Sequence, residues 1–128
     1  MGQKLKILVD SDILIKTYRG NRLYKDALDS QAGNLAVSMI TYYELMFGLK
    51  TKQRIIDLNK QMKAYTLIHI SEPVSVKALE LLKKYSVKHQ LKLADALIAS
   101  TALETGCKLF TDNIKDFEFI KDLLFHKF

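Results

Sequence analysis

Short apolar runs separated by stretches of helical period constrain this chain more than any other feature. Leu5, Ile7, Leu8 and Val9 form a nearly continuous run that ends on Asp10. Such a run reads as a strand buried on both faces, as in a parallel sheet covered by helices. Leu35 to Ile40, Leu67 to Ile70 and Lys108 to Phe110 read as further strands, and Leu123 to Phe125 as an added edge strand. Ser11 is a good N-cap for a helix through Arg19 that Gly20 and Asn21 end, and a second helix covers Arg22 to Ser30. Thr41 and Glu44 have the spacing of a capping box opening a third. Lys52 to Tyr65 is amphipathic and basic, with Ile55, Ile56, Leu58, Met62 and Tyr65 near helical spacing. Ser71, Glu72 and Pro73 start a helix expected to carry Val76, Leu79, Leu82 and Val87 inward and Lys77, Lys83, Lys84 and Lys88 outward. Leu91 to Glu104 is an unusually apolar helix stopped by Thr105 and Gly106, and Thr111 to Asn113 is a turn. Strands alternating with helices argue for an α/β layer architecture, whose sites form outside the C-terminal ends of the parallel strands. Asp10, the Thr41 region and the stretch from Thr111 to Asp116 all follow predicted strands.

A length of 128 residues is enough for one domain, residues 1–128, with one sizeable core. With 48% hydrophobic and 27% charged residues and a single Pro, the chain is neither disordered nor repetitive. Its apolar stretches are too short for a membrane helix, and the N-terminus lacks an export signal, so a cytoplasmic location is expected. Cys107, alone beside Gly106, reads as a small core residue and fits a reducing compartment. The formal charge of +6, from 20 Lys and Arg against 14 Asp and Glu, favours contact with polyanions such as nucleic acid without establishing it.

Asp95 is the acid most out of place. Its helical neighbours Ile98, Ala99 and Ala102 are core-forming, so its carboxylate shares their face. An ionised acid among apolar groups is costly unless compensated, which points to function; the structural alternative is satisfaction by backbone donors at the helix N-terminus. The other acids are ambiguous one by one. Asp10 is either a site residue at a strand end or a turn residue, and Asp12 either a ligand or a complement to the helix dipole. Glu44 is either catalytic or half of a capping box, while Asp112 and Asp116 alone pass for surface acids.

The set resembles the PIN-domain family, particularly the VapC-type toxins of toxin-antitoxin pairs, over nearly the whole chain. The matching pieces are Leu8-Val9-Asp10-Ser11-Asp12, Ser38 to Gly48 with Glu44 before Leu45, Ala94 to Ala99, and Thr111-Asp112-Asn113 leading to Asp116-Phe117. The resemblance implies a three-layer α/β/α fold around a central, mostly parallel sheet of four to five strands. It also implies a divalent metal held by Asp10, Glu44 and Asp95, with Asp116 as the fourth acid. Family members commonly carry Asn or Ser at the position of Asp12 and a basic or small residue at that of Asp112, which leaves Asp112 in competition with Asp116. Clustered carboxylates about 4 Å apart repel by roughly 4 kcal/mol at an effective dielectric near 20, and a cation resolves that conflict. All-oxygen ligands select Mg²⁺ or Mn²⁺, and His69, His89 and His126 have no metal-motif spacing. The expected reaction is endonucleolytic hydrolysis of RNA by metal-activated water, leaving 5′-phosphate and 3′-hydroxyl ends.

An acidic pocket needs basic residues to guide RNA; Arg19, Arg22, Lys50, Lys52 and Arg54 are the candidates. Tyr18, Tyr42 and Tyr43 either stack on bases or pack in a core or dimer contact. The resemblance implies an antitoxin that inserts a basic side chain into the acidic pocket, and a homodimer. Three rivals stand beside this reading. A non-toxin PIN nuclease would serve RNA processing, and a non-catalytic PIN module would only bind RNA or a partner. A haloacid-dehalogenase-like phosphatase would use Asp10 and Asp12 as nucleophile and acid/base, leaving Glu44 and Asp95 unexplained.

Overall fold

The computed structural model describes residues 6–127, so Leu5 of the first predicted strand lies outside the described residues. In chain order the elements are β1 (Ile7–Val9), α1 (Ser11–Tyr18), α2 (Arg22–Asp29), β2 (Leu35–Ser38), α3 (Met39–Phe47), α4 (Lys52–Met62), β3 (Thr66–Ile68), α5 (Glu72–His89), α6 (Leu93–Thr105) and β4 (Lys108–Phe110). A single 3-10 turn, Ile114–Asp116, follows. The strands form one sheet in the order β3-β2-β1-β4, and every pairing is parallel. In β1, Ile7 aligns with Leu35 on one side and Lys108 on the other.

Because successive side chains of a strand point to opposite faces, the sheet feeds two cores. Ile7, Val9, Leu35, Val37 and Phe110 pack with Ile13 and Leu14 of α1, Leu28 of α2, and Leu58 and Met62 of α4. Leu8, Ala36 and Leu109 pack with Ala78, Leu81 and Tyr85 of α5 and with Ala96, Ala99 and Ala102 of α6. The result is the expected three-layer α/β/α fold. Burying each of these aliphatic side chains contributes on the order of 1.5–3 kcal/mol. No helix among the described residues is long and apolar enough to cross a membrane.

Several boundaries differ from expectation for identifiable reasons. The N-cap of α1 is Asp10, not Ser11, since its carboxylate accepts from the Ser11 amide. The predicted strand Leu35 to Ile40 stops at Ser38, whose hydroxyl accepts from the Ile40 amide at 3.3 Å and so starts α3 at once. Thr41 therefore lies inside α3, and Glu44 is free of capping duty. β3 runs from Thr66 to Ile68, leaving His69 and Ile70 exposed beyond it. Ile56 is also exposed, and Tyr65 lies past the end of α4, which stops at Met62. Leu123 to Phe125 contributes only a single parallel bridge, Leu109 to Phe125.

The buried face of α5 is the largest correction. Val74, Ala78, Leu81 and Tyr85 point inward, whereas Val76, Leu79 and Val87 are exposed and Leu82 is half-buried. Both sets have helical spacing, so periodicity alone did not choose between them. Contacts fixed by other elements choose the rotation: Ser100 of α6 donates its hydroxyl to the Val74 carbonyl at 2.8 Å, and the Tyr85 hydroxyl accepts from the Lys121 amide. Cys107 is buried, as expected of a small core residue.

α5 ends on Gln90 at φ 57°, ψ 37°, a left-handed conformation that a Cβ disfavours, while α6 ends on Gly106 at φ 71°. This break separates Leu91 from α6, which begins at Leu93 rather than Leu91. Replacing Gln90 with Gly is expected to raise the unfolding free energy by about 0.5–1 kcal/mol, and Gly106→Ala to lower it by about 1 kcal/mol, both read from denaturant midpoints.

Candidate active site

In the strand order β3-β2-β1-β4, the chain runs outward from β1 through β2 to β3 and then crosses back to β4 on the other side of β1, so the order reverses between β1 and β4 and the crevice opens at their C-terminal ends. Asp10 sits there. Its amide donates to the Phe110 carbonyl at 3.0 Å, tying it to the end of β4. One carboxylate oxygen accepts from the Ser11 amide and the other from the hydroxyl of buried Thr111, each at 2.8 Å. Burial, reinforced by the charge of Asp12, pushes the Asp10 carboxyl up to about 6 against the opposing pull of Thr111 and Ser11, and Asp95 adds to the rise.

Asp12, in the first turn of α1, is turned to a different use. It accepts from the Ile13 amide at 2.9 Å, and its other oxygen accepts from the Asp112 amide at 2.9 Å and the Asn113 side-chain amide at 3.3 Å. It clamps the turn that follows β4. Asp112 in turn accepts from Lys16 and from the Tyr24 hydroxyl. Partial burial pushes its carboxyl up, but those two partners outweigh burial and hold it below the ordinary carboxylate range. Asp112 thus ties the turn to α1 and α2, and its charge is already matched.

The remaining acids are differently placed. Glu44 projects from α3 with no capping role; burial, then the charge of Asp95, raises its carboxyl. Asp95 occupies the first turn of α6, half-buried, with Ile98, Ala99 and Ala102 of its own face buried. Its carboxyl is raised by burial and then by Asp116, with Lys92 pulling the other way, and no hydrogen bond enters that balance. The helix N-terminus therefore does not satisfy it. Asp116 closes the 3-10 turn and is exposed. Asp10, Glu44 and Asp116 come from different elements and each is electrostatically coupled to Asp95. Among the described residues, no three acids, histidines or cysteines already stand in a chelating arrangement.

The histidines lie apart from these acids: His89 stacks on Phe119 at 4.3 Å, His126 meets the edge of Phe110, and His69 is exposed. Of the basic candidates, Arg19 and Arg54 line a cleft of about 710 Å³ together with Tyr18 and Glu44, whereas Arg22, Lys50 and Lys52 do not line it. Tyr42 hydrogen-bonds Asn59 of α4, and Tyr43 is exposed. Of the residues that organise the acids, Lys16 and Tyr24 were not identified from sequence, and Thr111 and Asn113 were read as turn and motif residues without these contacts. Their partners lie far away along the chain, and no local pattern signals such contacts.

Residues 7–121 match the model of the PIN domain. Ribonuclease VapC10 of Mycobacterium tuberculosis is 32% identical over 120 residues, covering 91% of this chain and 90% of that protein. A toxin-antitoxin complex from Klebsiella pneumoniae contains a chain that is 32% identical with a TM-score of 0.79, covering 93% of this chain and 96% of that one. DNA-bound VapBC from Salmonella typhimurium superposes with a TM-score of 0.86 over 96% of this chain and 98% of that one; at 18% identity the likeness is one of fold.

The raised carboxyl of Asp10 has a thermodynamic consequence. Between the ordinary carboxylate value of 3.8 and about 6 the folded protein binds more protons here than the unfolded chain, so this group's contribution to stability falls as pH rises through that window. Without divalent cations, Asp10→Asn is expected to be more stable than wild type by about 2–3 kcal/mol at pH 7.5 and by about half that at pH 5. Denaturant titrations in EDTA at the two pH values check this; equal stability at both would contradict it.

Proposed function

The chain belongs to the PIN-domain family, and on that premise we propose that it is a divalent-metal-dependent endoribonuclease, the toxin of a toxin-antitoxin pair acting in the cytoplasm. The observation that carries the reading is the match of residues 7–121 to the PIN domain, with Asp10 buried at the C-terminal end of the parallel strands and Asp95 in the first turn of α6 without a hydrogen-bond partner among the described residues. Relatives named ribonucleases support the activity, and the Klebsiella toxin-antitoxin complex supports an antitoxin partner.

The donor set fits a hard cation. It is all oxygen, and burial and mutual repulsion raise the proton affinity of Asp10, Glu44 and Asp95, an unfavourable state that a cation relieves. Asp10, Glu44 and Asp95 would hold Mg²⁺ or Mn²⁺ directly or through water. Once bound, such an ion supplies water activation and neutralises charge on the phosphoryl oxygens. The chain's own residues do the rest. Ser11 and Thr111 hold the Asp10 carboxylate in one orientation, and Asp12 fixes the turn that leads to Asp116. Asp116 would orient the attacking water or help hold a second ion. Asp112 is assigned to the scaffold because Lys16 and Tyr24 already engage it. The products are 5′-phosphate and 3′-hydroxyl ends.

The toxin acts as a homodimer, and its antitoxin inhibits it by sending a basic side chain among these acids. A non-toxin PIN nuclease would share the chemistry and lack the antitoxin; a non-catalytic module would show no requirement for Mg²⁺ or Mn²⁺. Family membership removes the grounds for the phosphatase reading.

Digestion of total RNA with Mg²⁺ or Mn²⁺, with cut sites mapped, should show discrete cleavage that EDTA abolishes. Asp95→Asn should lower that cleavage about 100-fold or more. Asp95→Asn protein cutting at the wild-type rate, with contaminating nuclease excluded, would sink the assignment. A second comparison separates the two late acids: Asp116→Asn is expected to lower kcat about tenfold or more, whereas Asp112→Asn keeps kcat within about threefold and weakens only the exposed ties to Lys16 and Tyr24.

A further inference from the structure

The cleft between α1, α3 and α4 carries chemistry that the acids alone do not use. Its volume of about 710 Å³ falls within the range of small-ligand sites. Glu44 forms part of its wall, so it is continuous with the acid cluster. Ile15, Leu45 and Leu58 supply apolar surface, and Tyr18, a residue about two-fifths exposed, stands among them. Arg19, the C-cap of α1, and Arg54, in α4, line the same cleft.

We propose that this cleft holds the unpaired RNA segment beside the scissile phosphate, a base stacking on Tyr18 while Arg19 and Arg54 engage the flanking phosphates. The proposal rests on the endoribonuclease reading above. An apolar wall with an exposed aromatic ring suits the face of a nucleobase, and guanidinium forks match phosphate oxygens. Two carboxylates, Glu44 and Asp57, stand in the same lining as the two arginines. Asp57 already accepts from the Gln53 side chain at 3.0 Å, and Glu44 belongs to the acid cluster. Gln61, also in the wall, offers an amide to a base edge. What selects RNA as occupant is the shared wall at Glu44, which sets the cleft beside the acids of the proposed endoribonuclease site. Only a strand with open base faces can stack this way, so the cleft selects single-stranded over duplex RNA.

The test reads binding without cleavage, so that its failure is distinct from failure of the acid assignment. Fluorescein-labelled single-stranded RNA octamers of mixed sequence, and duplexes of the same sequence, are titrated by anisotropy against the full chain carrying Asp95→Asn in Mg²⁺. Adding Arg19→Ala or Arg54→Ala should weaken single-strand binding about 5–30-fold each and reduce the slope of log affinity against log salt by about 0.7 each. Tyr18→Leu should weaken it about fivefold or more, with Tyr18→Phe close to the parent. Arg22→Ala, outside the cleft, should stay within about twofold, and duplex should bind less well than single strand. Variants that keep the parent's melting temperature and bind single strands as the parent does would overturn the proposal. So would equal losses for Arg22→Ala and for duplex, which would mark diffuse charge attraction instead. Loss of affinity for a protein partner with RNA binding intact would likewise assign the cleft to that partner.

Discussion

The Asp10 carboxylate is held from two directions, by the amide that opens α1 and by the hydroxyl of Thr111 beyond β4. That pair of bonds joins the two strands across which the crevice opens, and the rest of the site is arranged around it. β1 is an interior strand with β2 on one side and β4, reached by a crossover from β3, on the other, so its C-terminal end is where a buried acid can be reached from several elements. Burial is also what makes the acid reluctant to ionise, and two good donors do not fully offset that cost.

Around Asp10 the acids divide by how their charge is answered. Asp12 is answered by the backbone and side chain of the turn after β4, and Asp112 by Lys16 and Tyr24. These two spend their hydrogen-bonding capacity on position. Glu44 and Asp95 are left facing like charge in partly desolvated surroundings, an arrangement that stability alone would not favour. The surplus of basic residues lies elsewhere on the chain, and Arg19 and Arg54 bring part of it into the adjoining cleft.

Asp95 depends on packing at some distance from the crevice. The small side chains Ala96, Ala99 and Ala102 let α6 lie close to the sheet and to α5, and Ser100 ties it to α5 through the Val74 carbonyl. A helix held this way presents its first turn, and therefore Asp95, at a set height above the sheet edge. The same contacts choose which face of α5 is buried.

The order of strands and helices was legible in the sequence because each depends on local period and on nearby Gly, Ser and Pro. Asp95 was legible as an anomaly because burial of its neighbours at helical spacing is a local property. Where β2 ends, which residue caps α1 and which face α5 buries were not, since each turns on a hydrogen bond or contact whose alternatives look equivalent in one dimension. The separation of Asp12 and Asp112 from Asp10, Glu44, Asp95 and Asp116 was of the same kind. Local chemistry determined that this chain carries acids at the ends of its strands and helices; only the parallel sheet, by bringing residues from opposite ends of the chain to one edge, decided which acids are paired and which are left to repel one another.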